Sequence, residues 1–149
     1  MRIHAPIIAG LLAVLTTGCQ DARPGGLAGA DSPLHAELGT EVNVRGGTWE
    51  RRIPGGTTVA SYSGGRIEVR AVSGGTTNLL GQVEADWDPA QSFTPPAGGD
   101  IQLTAVAYPG CSFDRWRISG NLITSTSNPI TVSSYPGETD FRGEFICVV

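Results

Sequence analysis

The sequence predicts one small, mainly β domain, and three observations lead there. Many of its 21 glycines fall in pairs (Gly46-Gly47, Gly55-Gly56, Gly64-Gly65, Gly74-Gly75, Gly98-Gly99), which read as turn punctuation between short β-rich runs. Apolar and polar residues alternate at period two over several segments, as in half-buried strands. No segment carries a helical period. With 149 residues, 40% apolar and 7% aromatic, the chain has room for a single domain with a modest core, plus extras.

The elements follow in order. "MRIHAPIIAGLLAVLTTGC" opens with Arg2, continues through an apolar run over residues 6–15 and ends in small residues. That run is too short to cross a bilayer and fits the apolar region of a secretory signal. Its last five residues, "LTTGC", resemble the lipobox of bacterial lipoproteins. The resemblance implies a signal peptide over residues 1–18 and a lipidated Cys19 as the new N-terminus. Thr16 stands where that family most often has Leu. An A-x-A match at Ala28-Gly29-Ala30 lies well beyond the apolar run. More than one acyl chain makes a lasting anchor, and Gln20 after the cysteine is similar to the outer-membrane sorting signal. Residues 19–40 then form the lipidated cysteine and a Gly-, Ala-, Pro- and Asp-rich flexible tether.

Residues 41–65 give two weaker strands, "EVNVR" and "TTVASY", with Trp49 and Ile53 between them. From residue 66 the pattern sharpens. "RIEVRAV" sets Ile67, Val69 and Ala71 against Arg66, Glu68 and Arg70. "LLGQVEADW" sets Leu79, Val83, Ala85 and Trp87 on one face, and "IQLTAVA" sets Ile101, Leu103, Ala105 and Ala107. Ile130 and Val132 follow in "NPITV", then Phe141, Phe145, Cys147 and Val149 in the last strand. The spacing of three between Phe113 and Trp116 breaks the alternation and predicts a bulge.

The chemistry is sparse. All ten basic residues are Arg, the net charge is −4, and the arginines are scattered among acids. No basic face for phosphates is visible, which argues against a nucleic-acid partner. After leader cleavage the one histidine is His35, in the tether. That leaves no Ser-His-Asp or Cys-His catalysis and too few soft ligands for zinc. Glu84, Asp86 and Asp88 would share one strand face, where calcium could bind; a solvated face that protects a sheet edge is the plainer reading. Trp87, Phe113, Trp116, Phe141 and Phe145 fall on inward periods and read as core. The candidate binding residues are Trp49 and Tyr62, in the poorly patterned stretch, and Leu122 and Ile123, in the loop over residues 119–128.

The stretches "IQLTAVAYPG", "GCSFDRW", "SNPITV" and "FRGEF" are similar to the divergent internalin B-repeat family of bacterial surface proteins, whose pattern they follow over residues 99–145. Weaker similarity reaches back to Arg66. The family implies a β-rich, β-grasp-like module over residues 66–149 that is not catalytic; a sandwich-like arrangement is the other reading of the strand pattern. This chain departs from the family in having Cys111 for the usual aromatic, a longer loop after Trp116 and a single copy.

With Cys19 lipidated, Cys111 and Cys147 are the remaining thiols. Export places them where disulfides persist, and both fall on the face of neighbouring phenylalanines. A bridge between them is expected, with a pair of buried free thiols as the alternative. The sequence as a whole suggests an exported, lipid-anchored β module at the outer membrane or cell surface. Its expected role is non-catalytic binding of an envelope protein or glycan, with no cofactor. The alternatives are an assembly subunit of an envelope complex, or a small calcium-binding or enzymatic envelope protein.

Overall fold

A computed structural model of the chain describes residues 40–149. The leader, Cys19 and the tether up to residue 39 lie outside the described residues. Ten strands run in chain order: β1 (Val42–Arg51), β2 (Thr57–Val59), β3 (Gly65–Ser73), β4 (Thr76–Glu84), β5 (Gln91–Phe93), β6 (Asp100–Ala107), β7 (Cys111–Ile118), β8 (Ile123–Ser125), β9 (Ile130–Thr131) and β10 (Asp140–Val148). A single 3-10 turn, Val132–Ser134, precedes the last strand. The first sheet has the order β2-β1-β10-β7-β8, with β5 also paired to β1; the second has the order β4-β3-β6-β9. The two sheets form a sandwich, so the mainly β expectation holds and the sandwich-like arrangement is the one formed.

The second sheet follows its sequence pattern closely. Ile67 and Val69 on β3 and Ile101 and Leu103 on β6 are fully buried, facing Trp116, Ile118, Phe141 and Phe145 of the first sheet. The hairpin between β3 and β4 turns on Gly74 and Gly75, both at positive φ, as a tight two-residue hairpin turn requires. Asn128 completes the sheet beside β9: its side-chain amide donates to the Ala105 carbonyl at 2.8 Å and accepts from the Ala105 N–H at 2.9 Å.

Several expectations change. Gly46-Gly47 is no turn but the middle of β1, because a Cβ on Gly46 would lie 2.6 Å from the Ala85 Cα and one on Gly47 would lie 2.7 Å from the Trp87 ring. Residues 41–65 are therefore not peripheral. β1 sits inside the first sheet and pairs in parallel with β10 from Asn43↔Asp140 to Arg51↔Val148. Residues 40–149 fall in one compact unit, and a boundary at Arg66 would cut through it. Leu79 does not share the inner face with Val83. β4 is irregular between Gly81, opposite Val69, and Leu79, opposite Arg70. The unmatched Leu80 reverses the alternation and leaves both leucines exposed. Trp87 lies past the end of β4 at φ 70°, and Ala107 and Val149 are exposed at strand ends.

The expected bulge is where the spacing put it. Glu144 opposes Arg115 and Phe145 opposes Phe113, so Asp114 has no partner on β10. Phe113 and Trp116 thereby both reach the inner layer, with ring centroids 5.2 Å apart.

The outer face of the second sheet is polar and internally paired. The Arg70 and Arg66 guanidiniums approach the two Glu68 oxygens at 2.8 and 3.1 Å and hold its carboxylate below the usual range. A carboxylate with a lowered folded pKa stabilises the protein above its unfolded value of about 4.3, and loses that contribution as pH falls through the folded value. Glu68→Gln is expected to flatten the acid limb of stability below about pH 4, by about 1 kcal/mol or less because the pair is partly solvated. Urea unfolding across the acid range measures it, and an unchanged slope in the variant would contradict the assignment.

Candidate functional site

The outer face of the first sheet is built from alternate residues of β1, β10 and β7, and the strand register decides what meets there. One rung carries Val59, Trp49 and Ile146. The next carries Gly47, Glu144 and Arg115, and the one after it Arg45, Arg142 and Arg117. Three arginines thus lie side by side across three strands. Like charges directly opposite one another in a sheet are destabilising, so something must offset them.

Glu144 offsets two of the three. It is 2% exposed, and its carboxylate oxygens lie 2.9 Å from Arg117 Nε and 2.9 Å from Arg142 Nη2. Arg142 also donates to Asn121 Oδ1 and rests 5.6 Å from the centroid of the Trp87 ring. Trp87 in turn covers Gly47, donates its indole N–H to the Thr48 carbonyl at 2.9 Å and meets Trp49 edge-on at 4.9 Å. Arg142 is thus held by Glu144, Asn121 and the Trp87 ring, while its Nε is buried without a hydrogen-bond partner among the described residues. Arg117 uses only Nε on Glu144, which leaves its terminal nitrogens at the surface. Arg115 pairs with the bulged Asp114, whose carboxylate raises the Arg115 pKa further above its ordinary value. Arg45 and Arg51 are exposed and have no acidic group within 4 Å among the described residues.

Beside this ladder an open cleft of about 280 Å³ is lined by Trp49, Arg51, Arg115, Arg117, Glu144 and Ile146. A second depression lies across Arg117, against Arg45 and Arg142. Trp87 and Trp116 each donate the indole N–H to a backbone carbonyl, whereas Trp49 has no acceptor among the described residues. A half-buried ring with a free N–H beside free guanidinium groups can stack on a ring and hold an anion together.

No family model, no curated protein and no solved structure matches this chain.

Of the candidate binding residues, only Trp49 lines the cleft. Tyr62, 40% exposed, lies between β2 and β3 and takes no part in it. Leu122 stands at the tip of the β7–β8 hairpin, 87% exposed, but Ile123 packs against the core and is not part of an exposed apolar tip. Glu84, Asp86 and Asp88 do not form one carboxylate row, because β4 ends at Glu84 and the backbone turns at Trp87. Glu84 accepts from Ser63 Oγ and Tyr108 Oη at 2.8 Å each, and Asp86 accepts from the Asp88 N–H at 3.2 Å. No cluster of three metal-ligating side chains occurs among the described residues.

Sequence reasoning missed Arg45, Arg115, Arg117, Arg142 and Glu144. Their period-two spacing within β7 and β10 was visible, opposite the aromatic positions. Their convergence was not, because arginines scattered along the chain meet only through the pairing of β1 with β10.

Proposed function

We propose that the protein is an exported, lipid-anchored, non-catalytic module that binds an envelope component through the outer face of its first sheet. The observation that carries this reading is Trp49, its indole N–H without a protein acceptor among the described residues, in an open cleft beside arginines that exceed their acidic partners. Anchoring rests on the lipobox-like "LTTGC", with Cys19 as the acylated residue and the outer membrane or cell surface as the location.

Two experiments test it. Cys19→Ser is expected to release the protein from membranes and leave the leader uncleaved or cut elsewhere; retention through a detergent-sensitive anchor would contradict the anchoring. The full chain in neutral detergent is expected to sediment with protein-stripped cell-wall material, and Trp49→Ala to stay in the supernatant. Equal sedimentation of the two proteins, or none by the native one, would contradict the binding role.

A second reading, an assembly subunit, draws on β4. This strand is the edge of the second sheet and leaves Leu79 and Leu80 about half exposed, an open edge of the kind that pairs with another chain. Native gel filtration of the detergent-solubilised protein separates the readings, since a subunit would run as part of a larger stoichiometric complex.

A further inference from the structure

We propose that the ligand of this face is an acidic polysaccharide, its sugar rings against Trp49 and its carboxylates on Arg45, Arg117 and Arg51. The inference rests on the binding-module reading and names the chemistry that reading leaves open.

Charge comes first. The chain as a whole carries −4, yet this face gathers Arg45, Arg51, Arg115, Arg117 and Arg142 against Asp114, Asp140 and Glu144. The surplus is positive. The rung Arg45–Arg142–Arg117 is also arranged against its own stability, and Glu144 compensates only two of its members. A planar guanidinium with free terminal nitrogens matches a carboxylate in two-point geometry. An anion bridging Arg45 and Arg117 would complete what Glu144 leaves undone.

Shape selects a polymer rather than a small anion. The cleft, about 280 Å³, is open to solvent rather than enclosed, which suits a ligand that runs across it. A much smaller depression of about 10 Å³, also touching Arg117, lies against Arg45, Arg142 and Asp140. From Arg45 to Arg117 the rung spans two strand spacings, about 10 Å, so guanidinium groups recur along a track and suit a ligand whose anions recur too. The apolar rung Val59–Trp49–Ile146 runs alongside. It offers sugar rings an apolar face, with an indole N–H for a hydroxyl.

Recession separates a glycan from a membrane surface. The Arg117 and Arg142 side chains are only 30% and 19% exposed. Their charged groups are recessed in this way, so a flat plane of lipid headgroups would meet more exposed residues such as Arg45 and Arg51 first. A chain that enters the groove reaches them.

The test titrates the full chain in neutral detergent against polygalacturonate, with dextran as the neutral polymer and mixed micelles doped with phosphatidylglycerol as the lipid arm. Polygalacturonate is expected to bind, more weakly as salt rises. Arg45→Gln, Arg117→Gln and Trp49→Ala should each weaken it about tenfold or more, with thermal melts confirming that the variants fold. Arg66→Gln, on the other sheet, should bind as the native protein does. Equal binding of dextran, or native affinity in both Arg45→Gln and Arg117→Gln, would overturn the proposal. Binding of the doped micelles without polygalacturonate would overturn it in favour of a lipid surface. Failure to bind polygalacturonate while cell-wall sedimentation persists would overturn the acidic-glycan assignment and leave the binding-module reading standing.

Discussion

A chain beginning at Arg66 is expected not to fold, although the clearest strand pattern starts there. Its loss of β1 and β2 would take away the nine-residue parallel partner of β10 and the partner of β5. Val42 and Val44 are buried in the core, at 2% and 0% exposure. Burial of each contributes about 1.5–3 kcal/mol, against a total stability of about 5–15 kcal/mol for a domain. Thr48 adds a tie between the sheets, donating to the Ala85 carbonyl at 2.6 Å and accepting from the Gly64 N–H at 2.7 Å. Without β1 the Ala85 carbonyl loses this partner, and the inner layer of Phe141 and Phe145 opens to water. The shortened chain should bind a hydrophobic dye, lack a cooperative melt and be cut throughout by protease. A chain starting at residue 40 should melt as the full protein does. A cooperative transition for the shorter fragment within a few degrees of the longer one would refute this.

The physical reason β1 was hard to read explains what else was hidden. Its inward positions are Val42, Val44, Gly46 and Thr48, half of them without a large apolar side chain, and its paired glycines look like a turn. Glycine is present there because Ala85 and Trp87 press against the strand from either side, a constraint imposed by residues some forty positions away. β3 was legible because its requirement is local: every second side chain from Ile67 to Ala71 is apolar, so it describes its own burial. The bulge between Phe113 and Trp116 was legible for the same reason, as a break in the period of two between neighbouring aromatics. Leu79 was misplaced because one unmatched residue, Leu80, reverses the parity without changing composition. The arginine rung needs the most information. It exists only once β1 lies parallel to β10 in one register, and a single sequence carries no direct signal of that pairing.

Removing the Cys111–Cys147 bridge is expected to cost the domain a large part of its stability. The disulfide joins β7 to β10 at directly opposed positions, with Cα atoms 4.0 Å apart and a separation of 36 residues. Closing a loop of that length lowers the entropy of the unfolded chain by an amount worth about 3–4 kcal/mol. It also compensates locally. Cys111 and Cys147 form the last rung before the strands part, just beyond the bulge at Asp114, where the ladder is already interrupted. Beside them Gly64 lets β3 approach so closely that a Cβ there would lie 2.7 Å from the Cys147 sulfur, so the bridge lies where the two sheets come together. Replacing both cysteines with Ala should lower the melting temperature by roughly 10–30 °C, given about 4–8 °C per kcal/mol for a domain near this size. Mass spectrometry after alkylation should find both thiols protected in denatured, unreduced protein and free after reduction. Full alkylation before reduction, or a double variant that melts within two or three degrees of the native protein, would show that the bridge does not carry this load. A fall that appears in the native protein only when reductant is added, and never in the double variant, would assign it to this one bond. That outcome would also explain how a domain with so modest a core keeps Arg115 and Arg117 in register over Glu144, since those three residues lie on the two strands that the bond ties together.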